Sequence, residues 1–172
     1  KYVPQMKTEG ADVIVALSHG GIDTSPYSPT MENASWHLSQ VAGIDAILMG
    51  HTHQVFPDAS SKDTRLDQAS IKNFTPKTYW RVNGLLNNVP AVMPSFWGKG
   101  LGVIKLNLTF DGKKWVVNKN NTKVEVRTIQ NADKTFVAAN PRVARLIQAE
   151  HNATINYVKT PIGTSDFSMT SY

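Results

Sequence analysis

Two uninterrupted apolar runs constrain the fold more than any other feature of the chain: "DVIVAL" at 12–17 and "IDAILMG" at 44–50. Both have strand length and lack the polar alternation of a half-exposed strand, so each reads as a parallel strand covered on both faces. Between them, Ser28-Pro29-Thr30 offers hydroxyl caps and an early proline. Met31, Ala34, Leu38 and Val41 then recur at helical spacing until Gly43. Residues 12–50 are therefore expected to form one β-α-β unit with a right-handed crossover. Such a unit puts "SHGG" (18–21) and the segment after Gly50 at the carboxyl ends of neighbouring strands, where open α/β sheets place their ligands.

Before this unit, "KYVPQMKTEG" has the pattern of a helix tail, with Tyr2, Val3 and Met6 on one side and Gly10 as a left-handed terminator. Residues 57–80 are polar and without sustained period, an exposed excursion. From "VPAVMPSFWGKGLGVIKLNLTF" through the turn "DGKK" to "WVVNKNNTKVEVRTI", apolar and polar residues alternate as in antiparallel strands with one covered face. A helix is expected from Asn140-Pro141 to about Val158, with a stripe of Val143, Leu146, Ile147, Ala149 and Ile155, ended by Pro161 and Gly163. The last stretch is too short to be a domain, and the chain reads as one cut inside a larger protein.

Composition narrows the chemistry. Cysteine is absent, so disulfides and thiolate metal sites are excluded and any metal must be held by nitrogen and oxygen. No window approaches the roughly 18 apolar residues of a membrane helix, and the first residues do not have the order of a signal peptide. The net charge is +5, but lysine and arginine are scattered and do not alternate with aromatics. That distribution argues for an ordinary solvated surface and against a stable nucleic-acid complex.

The five histidines carry the functional signal. "GHTH" (50–53) is a tetrapeptide that eleven glycines and five histidines in 172 residues would rarely produce by chance. Alternate residues of an extended strand point to opposite sides, but a tight turn after Gly50 can swing His51 and His53 toward one cavity, each with a neutral nitrogen for a metal. His19 supplies a third imidazole at the end of the neighbouring strand, where Gly20 and Gly21 permit close approach of an anion or metal. His37 in the crossover helix and His151 in the late helix read as surface histidines without a role.

"DVIVALSHGG", followed some thirty residues on by "GIDAILMGHTH", resembles the last two motifs of the calcineurin-like metallophosphoesterases. "LNNVPAVMPSFWGKGLGVIKLNL" and "NPRVARLIQAEHNATINYVKTPIG" are further similar to stretches of the bacterial 2′,3′-cyclic-nucleotide 2′-phosphodiesterase/3′-nucleotidases, within the wider 5′-nucleotidase group. The resemblance covers nearly the whole chain except the loop at 57–80.

The resemblance implies an α/β fold, the C-terminal half of a four-layer α-β-β-α catalytic domain at 1–139. A linker helix at 140–158 and the opening of a C-terminal nucleotide-binding domain at 159–172 would follow. It makes His19 and His51 ligands of one metal and His53 a ligand of the other, with phosphate near Gly20; Asn83, Trp97 and Gly98 receive no ligand role. The implied reaction is hydrolysis of 2′,3′-cyclic nucleotides and 3′-nucleotides at two divalent ions about 3.5–4 Å apart. Manganese, zinc, iron or cobalt suits such nitrogen and oxygen ligands. The implied location is outside the cytoplasm, in the periplasm or at the cell wall.

The family's three earlier motifs, including the acid histidine and the aspartate bridging both metals, have no counterpart in this sequence. Gly10-Ala11-Asp12 and Gly43-Ile44-Asp45 are strand starts at the opposite end of the sheet. The chain alone is therefore expected to be inactive, to bind at most one metal weakly, and to need the other half of the domain. The rival readings are a 5′-nucleotidase or another phosphomonoesterase on the same scaffold, and a non-catalytic metal-binding module.

Overall fold

The computed structural model describes residues 1–58, 79–80, 83–164 and 166–168 and divides the chain into two units, Lys1–Thr135 and Phe136–Tyr172. In the first unit β1 (Val15–Ser18) and β2 (Ala46–Met49) pair in parallel, Val15 beside Ala46 through Ser18 beside Met49. The expected β-α-β frame is present. A short helix, α1 (Tyr2–Thr8), precedes it, and Gly10 follows with φ +98°.

The crossover departs from expectation. Only α2 (Ser35–Leu38) is helical, although capping residues and spacing pointed to a start at Ser28. The polar groups of the preceding segment bond to the loop after β1 instead of propagating a helix. Asn33 Oδ1 accepts from the Gly21 N–H at 2.8 Å, and the Ser35 hydroxyl donates to the Gly20 carbonyl at 2.9 Å. Short polar side chains compete with helical hydrogen bonds in this way.

The sheet continues through β3 (Val55–Phe56), β4 (Tyr79–Trp80), β5 (Leu85–Leu86) and β6 (Val89–Pro94), in the order β1-β2-β6-β5-β4 with β3 on β6. β6 corrects the reading of 89–94 as the start of a half-covered meander. It runs parallel to β2 and antiparallel to β3 and β5, and Val89 through Met93 are all buried. Phe56, Ile47 and Leu86 fill the core beside its Met93, with Trp36 and Leu38 of α2 packed against them. Each of the fully buried side chains contributes about 1.5–3 kcal/mol by leaving water.

Among the described residues, one face of β1 and β2 is left partly open. Leu17 and Leu48 are register partners on one face and are 79% and 40% exposed, while Ala46, Ile47 and Met49 are buried.

The remaining strands of this unit pair antiparallel, as their alternation predicts. β7 (Gly100–Lys105) pairs with β10 (Lys123–Thr128), and β8 (Leu108–Phe110) with β9 (Trp115–Val117). The "DGKK" turn closes the β8–β9 hairpin: Asp111 Oδ1 accepts from the N–H groups of Lys113 and Lys114, and Gly112 takes φ +97°. β7 lies close to β6, since a Cβ on Gly102 would sit 2.9 Å from a methyl of Val92.

In the second unit α3 (Pro141–Leu146) and α4 (Gln148–Val158) occupy the expected helix, with a break at Ile147. Asn140 caps α3 by accepting from the N–H groups of Arg142 and Val143, with Pro141 in the first turn. Most of the 57–80 excursion lies outside the described residues. Among the described residues no helix is long and apolar enough to cross a membrane.

Candidate metal centre

His19 follows β1 directly, and His51 comes two residues after β2 ends. Because the two strands run side by side, the rings meet at the sheet rim, with centroids 5.2 Å apart and planes tilted by 55°. Gly50 lies against this pair; a Cβ there would be 3.9 Å from His19 Nδ1. Leu17, Ser18, His19, Leu48, Met49 and Gly50 line an open depression of about 260 Å³ on the same rim.

The turn that aims His51 is tight. The Thr52 N–H donates to the Gly50 carbonyl at 2.8 Å, closing a γ-turn around His51, whose φ is +68°. His53 is also left-handed, at φ +58°. Backbone of this kind at a residue other than glycine costs on the order of 1–3 kcal/mol and concentrates at functional sites. Thr52 between them turns inward, its hydroxyl 3.3 Å from the sulfur of Met93, while both histidines remain exposed.

His53 lies elsewhere on the rim. Its ring stacks on Phe96, centroids 4.6 Å apart, and Phe96 in turn carries Lys99 Nζ 4.0 Å above its face and the edge of Trp97 at 5.1 Å. The β6–β7 turn that presents them holds Ser95, Trp97 and Gly98 at positive φ, and the Ser95 N–H donates to the Gln54 carbonyl at 3.0 Å, next to the GHTH loop. Asn83 sits apart, just before the left-handed Gly84 and on a different groove, of about 820 Å³. That groove gathers Lys105, Lys119, Lys123 and Arg127, which the sequence had left scattered.

The rim offers imidazole nitrogen, a donor that divalent cations accept. With nitrogen about 2.1 Å from an ion, two imidazoles at a tetrahedral angle have centroids roughly 5 Å apart. The His19–His51 separation matches that value. Among the described residues no three or more histidine and carboxylate groups are placed to hold one ion.

Two residues without a sequence motif of their own belong to this rim. Glu32 Oε1 lies 2.7 Å from His51 Nε2, and the Glu32 carbonyl packs on Gly20, where a Cβ would come within 2.9 Å. Phe96 is the second, through its stack on His53. In the sequence Glu32 falls within an expected helical first turn and Phe96 within an alternating stretch, patterns that carry no functional signal. Gly20 and Gly21 are buried, and Gly21 lies directly against the Thr52 side chain, tying the two histidine loops together.

The other polar candidates fall where expected. Asp45 accepts from the Ile14 N–H at 2.9 Å and faces Lys7, and Asp12 accepts from the Trp115 N–H at 3.1 Å, both at the amino ends of the strands. His37 Nε2 is 2.8 Å from the Ser25 carbonyl. His151 lies on the exposed surface of α4.

No family model matches the chain. Individual relatives do. A 2′,3′-cyclic-nucleotide 2′-phosphodiesterase/3′-nucleotidase of Salmonella typhimurium is 40% identical over the whole chain, and one of Haemophilus influenzae is 34% identical. A trifunctional nucleotide phosphoesterase protein of Bacillus subtilis, YfkN, is 36% identical over 99% of the chain. The chain spans about a quarter of the length of the first two and 10% of the third. A crystal structure of the calcineurin-like phosphoesterase YfkN superposes with a TM-score of 0.73 at 36% identity, over 92% of this chain and 42% of that one. Along its whole length in sequence, and over most of it in fold, the chain is similar to one part of the calcineurin-like phosphoesterases.

Proposed function

We propose that this chain supplies one wall of the catalytic site of a metal-dependent phosphoesterase acting on 2′,3′-cyclic nucleotides and 3′-nucleotides. The observation that carries the reading is the His19–His51 pair, at a spacing one cation accommodates, in a chain 40% identical to a protein of that name. In this reading His19 and His51 hold one ion and His53, on the same loop, serves a second. The substrate phosphate lies on the rim near Gly20. Divalent ions would supply Lewis-acid stabilisation of charge developing on phosphate oxygen.

The chain's own part is to orient. The γ-turn aims His51, the clamp of Asn33 and Ser35 holds the His19 loop, and the stack on Phe96 limits the rotation of His53. The remaining ligands, the acid for the leaving group, the linker role of 140–158 and a nucleotide-binding domain from 159 belong to the same proposal, as does a location outside the cytoplasm.

Full-length protein assayed side by side with 2′,3′-cyclic AMP, 3′-AMP and 5′-AMP tests it. Manganese-dependent turnover of the first two is expected, and is expected to disappear in His51→Ala. Turnover of 5′-AMP alone would move the assignment to a 5′-nucleotidase. Activity on all three would match the breadth in the name of the Bacillus subtilis relative. No turnover would favour a non-catalytic module.

A further inference from the structure

We propose that Glu32 is a positioning residue that fixes the ring orientation and tautomer of His51 for metal binding; the inference rests on the ligand reading of His51 given above. Glu32 Oε1 lies 2.7 Å from His51 Nε2. A carboxylate accepts and does not donate, so Nε2 carries the hydrogen and Nδ1 keeps its lone pair free for a cation. Carboxylate partners orient metal-binding histidines and raise their basicity in this manner.

The placement of Glu32 makes this more than a surface pair. Its carbonyl packs against Gly20, and the next side chain, Asn33, binds the Gly21 N–H at 2.8 Å. The residue is thus anchored to the His19 loop by its backbone while its carboxylate reaches the His51 loop. It couples the two ligands that must meet at one ion. Its side chain is 69% exposed and that of His51 36%, so the contact contributes little to folding stability. A loss of metal affinity without loss of fold therefore separates positioning from a structural role.

The test uses full-length protein, calorimetric titration with manganese alone, and thermal unfolding of each variant. Glu32→Ala is expected to weaken manganese binding about 10–100-fold with an unchanged unfolding temperature. Glu32→Gln, which keeps an acceptor oxygen, is expected to restore most of the affinity. Nitrogen chemical shifts of His51 in the metal-free protein should show hydrogen on Nε2, and in Glu32→Ala a mixture of tautomers. Parent-like affinity in Glu32→Ala, equal losses in the alanine and glutamine variants, or hydrogen on Nδ1 of His51 in the parent would each overturn the proposal. His51→Ala is the control for the underlying reading: if it binds manganese like the parent, the ligand assignment itself falls, whereas a loss there with none in Glu32→Ala removes only the role of Glu32.

Discussion

Ser35, at the start of α2, has its hydroxyl 2.8 Å from that of Ser18, the last residue of β1, and donates its own hydrogen to the Gly20 carbonyl at 2.9 Å. With its one hydrogen committed to Gly20, Ser35 must accept from Ser18. Ser35 is fully buried, so no water substitutes for it. Ser35→Ala should leave a buried carbonyl and a hydroxyl unpaired and reduce stability by about 1–3 kcal/mol. Urea unfolding of parent and variant checks this.

Gly21 separates the histidine loops by the width of a missing methyl. A Cβ there would collide with the Thr52 side chain. Gly21→Ala should push the GHTH loop away from His19 and lower both stability and manganese affinity. Gly163→Ala, where a Cβ meets nothing within 4 Å, should change stability by no more than about 0.5 kcal/mol. Thermal unfolding and calorimetry of the two variants would reveal the contrast.

The 172-residue chain by itself should take up at most one manganese ion, weakly. Three imidazoles without a bridging carboxylate cannot hold two cations close together against their repulsion. Calorimetric titration of the isolated chain measures the count directly, and two tight sites would contradict the expectation.

Acid should weaken the first unit through Asp23. Hydrogen bonds from the side chain and then the backbone N–H of Ser25 hold its carboxyl below the ordinary 3.8, with a smaller contribution from nearby His37. A folded-state value below the unfolded one gives stability present above the unfolded value and lost as pH falls through the folded one. The stability advantage of the parent over Asp23→Asn should therefore hold at neutral pH and fade below about pH 4. Paired unfolding curves across that range would detect it.

The strand frame and the rim that carries the candidate histidines are legible in the sequence. Apolar runs at 12–17 and 44–50 became parallel partners, and both loops bearing His19 and His51 reached the same rim. The segment between them was read less well, because Asn33 and Ser35 use their side chains on the His19 loop, a long-range choice that helical spacing does not encode. β6 was misjudged for a related reason: alternation describes a strand by itself, whereas β2, β3 and β5 surround Val89–Pro94. Glu32 and Phe96 were invisible because each acts on a histidine distant in sequence, at 51 and 53.

The left-handed backbone of His51 has a consequence for how this surface can change over time. A chain optimised only to stay folded would carry glycine there, and His51→Gly should relax the turn and raise stability by about 1 kcal/mol. Random drift would thus be drawn toward losing the imidazole. An intact histidine in so uncomfortable a conformation is what continuing selection for its nitrogen atoms would leave behind.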